Sequence, residues 1–345
     1  MSRRRRVPMR RLQGLRRLVQ RAVAALVLLA LLTAGWGVWS YQGPGPAAQR
    51  GSSTTVVLPR GAGVIRIASL LQGAGVIRSR DLFMLAVKLT GASRGLKAGE
   101  YEFPSQAAMA RILGDIRAGR VVRHFVSIPE GFTSEMALEA VVRQPVLTGA
   151  ADVPPEGSLL PDTYQVQRGD DRTEVIEAMR DARDVLLARL WAGRAPNLPL
   201  KTPEEAVTLA SIVEKETALA EERPRIAAVF ENRLRAHMRL ETDPTVIYGI
   251  SRGRPLGRGL THHEVVTPTP YNTYKIDGLP PTPIANPGRA ALAAVLNPPK
   301  SDELYFVANG QGGHVFASSF EEHQKNVARW RAIERGQDKL AAAKK

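Results

Sequence analysis

Thr202-Pro203-Glu204-Glu205-Ala206-Val207-Thr208-Leu209-Ala210-Ser211-Ile212-Val213-Glu214-Lys215-Glu216-Thr217 carries the plainest helix signature in this chain of 345 residues. Thr202 is a capping residue, Pro203 takes the first helical position, and Glu205 stands three residues after the cap. The spacing predicts a helix running to about Leu219. At roughly 100° per residue, Leu209, Ile212 and Val213 centre an apolar face, and Glu216 falls in its middle. Glu214 falls roughly opposite, near Val207 and Ala218. Two glutamates two residues apart are thus expected in different surroundings. A carboxylate set against apolar packing has its pKa raised, which keeps a proton available for general acid catalysis. The same position equally suits a buried carboxylate paired with Arg223, Arg225, Arg233 or Arg235. Pattern alone leaves both readings of Glu216 open.

Toward the C-terminus a second helix is expected over 224–238, with Ile226, Val229, Phe230 and Leu234 on one face and Glu231, Asn232 and Arg233 on the polar one. Thr242-Asp243-Pro244-Thr245-Val246-Ile247-Tyr248 follows. In Tyr271-Asn272-Thr273-Tyr274, hydroxyls and an amide alternate with aromatic rings, a surface suited to stacking on and hydrogen bonding to sugars; an exposed turn with edge-packed tyrosines fits the same residues. Gly278 to Gly288 reads as a stiff proline-rich loop leading into a helix over 289–295. Tyr305 to Ala308 and His314 to Phe316 read as a hairpin, and 320–335 as a helix.

Toward the N-terminus, Glu156-Gly157-Ser158-Leu159-Leu160-Pro161-Asp162-Thr163-Tyr164 reads as a rigid loop in which Asp162 closes an Asx turn. Before it lies a weak repeat. Val56-Val57-Leu58-Pro59-Arg60-Gly61 and Phe125-Val126-Ser127-Ile128-Pro129-Glu130-Gly131 each read as a short strand and a Pro-x-Gly turn, followed by a helix over 64–71 and 136–142. Further helices are expected over 82–89 and 107–116, with a turn into a strand over 97–103. These make a small α+β module over 55–125, and the residues from 126 to 340 make a mixed α/β domain.

Ala22 to Tyr41 is a run of 20 residues without a charge, long enough to cross a hydrocarbon core of about 30 Å as a helix. Nine arginines and no acid precede it (Arg3, Arg4, Arg5, Arg6, Arg10, Arg11, Arg16, Arg17 and Arg21). The positive-inside rule places residues 1–21 in the cytoplasm and the bulk of the chain outside, with Trp36, Trp39 and Tyr41 at the outer interface. A cleaved signal would carry a shorter apolar region, so an uncleaved inner-membrane anchor is expected. Residues 42–54, rich in Gly, Pro, Ala and Ser, read as a linker.

The net charge of +15 therefore overstates the basicity of the outer part: without the first 21 residues, +6 remains on 324. The arginine run is read as an orientation signal, and no nucleic-acid partner is expected. With no cysteine there is no disulfide and no thiolate-held metal. The histidines show no metal spacing, no cofactor is expected, and no P-loop, Rossmann or Ser-His-Asp spacing stands out.

EGSLLPDTY (156–164), LASIVEKET (209–217), VFENRL (229–234), TDPTVIYGI (242–250), PYNTY (270–274), GLPPTPIANPG (278–288), YFVANGQGGHVF (305–316) and HQKNV (323–327) resemble, in order, the motifs of the endolytic murein transglycosylases, the YceG-like family. The strand-turn-helix at 56–71 resembles the glycan-binding LysM module, which that family also carries. The resemblance implies a lyase that cuts between MurNAc and GlcNAc inside nascent peptidoglycan strands, not by hydrolysis, and leaves 1,6-anhydroMurNAc ends. It places the catalytic acid on Glu216. Tyr248, Asn272, Tyr274, Asn232 and Glu214 are expected to shape the substrate site. Thr282 stands where this family often has Gly. By analogy the enzyme would end strand elongation beside peptidoglycan synthases. A muramidase-type hydrolase and a non-catalytic wall-binding scaffold are the alternatives.

Overall fold

The computed structural model describes residues 9–342, with side chains over 16–335. Arg3, Arg4, Arg5 and Arg6, counted above for orientation, lie outside the described residues. The chain divides into two compact units at Arg123/His124.

The first unit opens with α1 (Met9–Gln42), which extends well before the uncharged run because Arg, Leu, Gln and Val all tolerate a helix. Among the described residues one helix is long and apolar enough to cross a membrane, the Arg16–Gln42 portion of α1, with a mean hydropathy of 2.1. It closes where Gly43 N–H donates to Trp39 O, just before Pro44. Residues 43–52 are not a free tether. Gly45 N–H donates to Gln106 O at 3.0 Å, Gln106 N–H to Pro46 O at 2.9 Å, and Ala48 N–H to Ser105 Oγ at 3.0 Å. A Cβ on Gly45 would lie 2.2 Å from Ala107 O, so this close approach requires glycine. Arg78 adds a clamp, donating to Pro44 O at 2.9 Å while its guanidinium lies 5.5 Å from the Trp39 ring.

Strand β1 (Ser53–Leu58) then pairs antiparallel with β2 (Gly99–Pro104). Helices α2 (Val64–Gly73) and α3 (Arg80–Leu89) fall between them, and α4 (Met109–Ala118) follows. Leu58, Leu71, Phe83, Tyr101, Phe103 and Ile112 form the buried core. Tyr101 and Phe103, two apart on β2, stack on that side of the sheet at 5.8 Å.

In the second unit, β3 (His124–Ser127) pairs antiparallel with β4 (Thr163–Val166), so the 156–164 loop runs into a strand. Helix α5 (Ser134–Val142) and the 21-residue α6 (Arg172–Ala192) pack beside this pair over Val126, Leu159, Val175 and Met179. Sequence reading passed over α6. The larger core surrounds α7 (Pro203–Glu216), flanked by α8 (Arg223–Arg235) and α11 (Arg289–Leu296); α9 (Asp243–Ser251) and the short α10 (His262–Val266) lie between them in sequence. A hairpin of β5 (Tyr305–Ala308) and β6 (His314–Ala317) and the long α12 (Phe320–Ala342) complete the unit.

Two expectations for α7 change. The helix stops at Glu216, three residues early, because Thr217 turns extended (φ −140°, ψ 138°). It also has no solvent face along its middle: every residue from Ala206 to Val213 is buried. The amphipathic pattern therefore does not separate the two glutamates into a covered and an open side. At its start, Thr202 Oγ1 accepts from Glu205 N–H as expected, but the Glu205 carboxylate reaches back to Lys201 N–H instead of to Thr202.

Candidate active site

The last turn of α7 delivers Glu216 to a cleft of about 400 Å³, which Arg233, Glu241, Asp243, Tyr274, His314 and His323 also line. Glu216 is part-buried, and Thr242 Oγ1 donates to its Oε2 at 2.7 Å. Burial raises its pKa above the ordinary 4.5; the Thr242 hydrogen bond and the charges of His314 and Arg233 pull the other way, and Asp243 pushes it up again.

None of the four arginines that could have neutralised Glu216 does so. Arg223 pairs with Glu214 at 3.1 Å, Arg233 with Glu241 at 3.2 Å, Arg235 with Glu231 at 2.8 Å, and Arg225 with Glu303. The buried-ion-pair reading of Glu216 therefore finds no partner among the described residues. Each arginine is committed to a different carboxylate.

Thr242 is held by hydroxyls contributed from two motifs. Its N–H donates to Thr273 Oγ1 at 3.1 Å, and Thr245 Oγ1 donates to Thr242 O at 2.8 Å. Thr245 and Thr273 share a further bond at 2.8 Å, and all three are buried. The segment at the start of α9 and the 270–274 loop are thus one unit, which also sets Tyr274, whose hydroxyl donates to Asp243 Oδ1 at 2.8 Å. Burial and the Asp243 charge raise the Tyr274 pKa, so the phenol keeps its proton.

On the other side of the cleft, Glu222 grips His314 twice. Its Oε1 accepts from His314 N–H at 2.8 Å and its Oε2 lies 2.7 Å from His314 Nδ1. Burial works against ionisation of Glu222, yet the His314 ring and backbone hydrogen bonds hold its pKa below the ordinary value. Thr217 Oγ1 also donates to Glu222, at 3.3 Å, so the residue that ends α7 helps place the histidine.

The structure brings Glu216 and Tyr274 into this cleft and sends the other expected site residues elsewhere. Glu214 is almost wholly buried. It accepts from Gly288 N–H at 2.9 Å at the start of α11 and from Arg223, so it ties α7 to the 278–288 loop. Asn272 is fully buried, and its amide is occupied by the carbonyls of Glu264, Val265 and Thr267 and by Tyr274 N–H. Asn232 donates to Ser301 O and Glu303 O. Tyr248 is buried, and its hydroxyl donates to Glu156 Oε2 at 3.1 Å, beside Ser134 and Asn286. The face of α8 expected to be polar and open is likewise closed, with Glu231 and Arg233 both buried.

Sequence reading missed Thr242, His314 and Glu222, and offered Arg233 only as a possible ion-pair partner of Glu216. Thr242 and His314 stand inside motifs that were singled out, but nothing local assigns them to one cleft.

The fold and the cleft define an α+β domain in which a carboxylate of raised pKa, without an arginine partner, lines a polar site. Residues 56–329 match the YceG-like family, and the chain belongs to it. It is 32% identical to a Bacillus subtilis (strain 168) protein named endolytic murein transglycosylase, over 80% of this chain and 85% of that protein. A Streptococcus pneumoniae (serotype 2, strain D39) protein of the same name is 30% identical over 89% of this chain. This chain spans 64% of that pneumococcal protein's length. The crystal structure of a yceG-like protein from Listeria monocytogenes, 32% identical, aligns with a TM-score of 0.50 over 80% of this chain and 99% of the other.

Proposed function

We propose that this chain is an endolytic peptidoglycan lytic transglycosylase, with Glu216 as its acid and then its base. The observation that carries the reading is the Glu216 carboxylate, which lines a polar cleft, keeps a raised pKa, and has no arginine of its own. The protonated carboxyl donates to the glycosidic oxygen as the bond from MurNAc C1 to that oxygen breaks. The 6-hydroxyl of the same MurNAc attacks C1, closing the 1,6-anhydro bridge, and its proton passes to the Glu216 carboxylate. One carboxylate suffices because the nucleophile belongs to the substrate and is held at high effective concentration. A hydrolase would ordinarily need a second. Of the other two carboxylates of the cleft, Glu241 is paired with Arg233 and Asp243 accepts from the Tyr274 hydroxyl.

Tyr274 offers an aromatic edge for a sugar ring, with the neighbouring Thr242 and Asp243 fixing its place. The β1–β2 module, in which two helices lie between paired strands, supports the LysM-like reading and a second grip on glycan. With α1 as an uncleaved anchor in the inner membrane, N-terminus cytoplasmic, the enzyme would meet newly made strands and end their elongation beside the synthases.

The test is a digest of purified, uncross-linked glycan strands by the full-length detergent-solubilised protein, with mass spectrometry of the new ends. Anhydro ends from the wild type, and a yield from Glu216→Gln lower by about 10²–10⁴-fold, are expected. Reducing ends would convert the reading to a muramidase, and an unchanged product from Glu216→Gln would remove the acid from this residue.

A further inference from the structure

The catalytic reading leaves a second cavity unused, in the first unit. A groove of about 350 Å³ runs between the end of α1 and α3, lined almost entirely by apolar groups. Ala34, Gly37 and Val38 form one wall; Leu82, Leu85 and Leu89 form the other. On α3 these leucines recur at i, i+3 and i+7, a single stripe. The opposite side of α3, with Phe83 and Val87, is buried in the module core. Leu85 is 50% exposed and Leu89 78%, an unusual display for two leucines in one groove.

The depth of this groove says what covers it. Tyr41, Trp39 and Trp36 sit at the end of α1, where rings mark the bilayer interface. Ala34 lies seven residues before Tyr41, about 10 Å further along the helix axis. A groove walled by Ala34, Val38 and Tyr41 therefore runs from the aromatic band toward hydrocarbon depth. The module cannot swing α3 away from that level, because Gly45, Pro46 and Ala48 are hydrogen-bonded to Ser105 and Gln106 and Arg78 clamps the helix exit. Lys88, exposed on the same helix, offers a long side chain whose cation can reach toward a lipid phosphate.

We propose that α3 is a membrane-docking helix and that the groove between it and α1 takes a phospholipid acyl chain. The inference rests on α1 crossing the membrane. Leu85 and Leu89 are then covered by lipid, and the module rests on the bilayer beside its anchor.

The chain has no cysteine, so single labels can be introduced without background. Full-length Leu28→Cys, Leu85→Cys, Leu89→Cys and Ile65→Cys, each carrying a bimane fluorophore, are reconstituted into phosphatidylcholine vesicles with and without an acyl-chain nitroxide lipid. Leu28 lies in the span, and Ile65 is an exposed apolar residue on α2 outside the groove. The expected result is a loss of fluorescence at Leu85 and Leu89 comparable to that at Leu28, with little loss at Ile65. Quenching at Leu28 without quenching at Leu85 and Leu89 overturns the docking and leaves the anchor standing. Equal quenching at Ile65 overturns the specific role of the groove. No quenching at Leu28 overturns the anchor and the docking together.

Discussion

Thr242 Oγ1 donates to Glu216 Oε2 at 2.7 Å across 26 residues of chain, and no other hydrogen bond reaches that carboxylate among the described residues. A hydrogen bond to the ionised form lowers a pKa, so Thr242 offsets part of the increase that burial imposes. Thr242→Val keeps the shape and removes the donor. The Glu216 pKa should climb further, because a hydrogen bond that favours the charged form is lost. The alkaline limb of the kcat profile, where the acid loses its proton, should move upward with it; an unmoved limb would dissociate Thr242 from the acid.

Glu216→Gln should reduce turnover by about 10²–10⁴-fold, the usual worth of a general acid. It should also stabilise the fold at neutral pH. The folded pKa is raised above the ordinary 4.5, so the folded state disfavours ionisation, and stability is lost as pH rises from 4.5 through the folded value. The glutamine has no charge to bury. Thermal melts should show a higher Tm than wild type at pH 7.5 and no difference at pH 4.

Glu231 makes the same argument away from the cleft. Its side chain is fully buried on α8, one oxygen lacks a partner, and burial pushes its pKa to about 7 despite Arg235. Stability should fall between pH 4.5 and 7 by up to about 3 kcal/mol from this group. Glu231→Gln should flatten the wild-type Tm decline over that interval while leaving the end products unchanged.

Glu214 should behave in the opposite way. Glu214→Ala leaves Gly288 N–H without its partner and the nearly buried Arg223 guanidinium with only Glu130, at 3.5 Å, a loss of up to about 3 kcal/mol, the low end of the scale of broken buried pairs. Denaturant titration should register that loss. Protein kept folded at low temperature should still yield anhydro ends, because Glu214 faces the 278–288 loop and not the sugar cleft.

How far the sequence reveals this molecule depends on the range of each contact. Thr202, Pro203 and Glu205 announce the start of α7 because capping is settled within one turn. Its end is not announced, since Thr217 breaks the helix to bond Glu222, which in turn holds His314 from 92 positions away. The strand before Pro129 is legible, whereas its partner at 163–166 is not, because pairing is set by tertiary packing and not by local pattern. Helix α6 was there to be read: Val175, Ile176, Met179, Leu186 and Leu187 recur at helical spacing. The alternating tyrosines and hydroxyls of 271–274 look like a sugar surface, but Asn272 and Thr273 turn inward and only the Tyr274 side chain reaches the cleft.

The paired backbone of Gly45 and Gln106 has a mechanical consequence. A flexible tether would let the first folded unit keep its orientation while α1 leaned. Here the helix and the module turn as one lever, with no swivel between them. A span longer than the local hydrocarbon thickness accommodates by tilting. If α1 spans a bilayer, its thickness would thereby set an inclination of the β1–β2 module, and the same enzyme in thin and thick membranes would present that module at different angles.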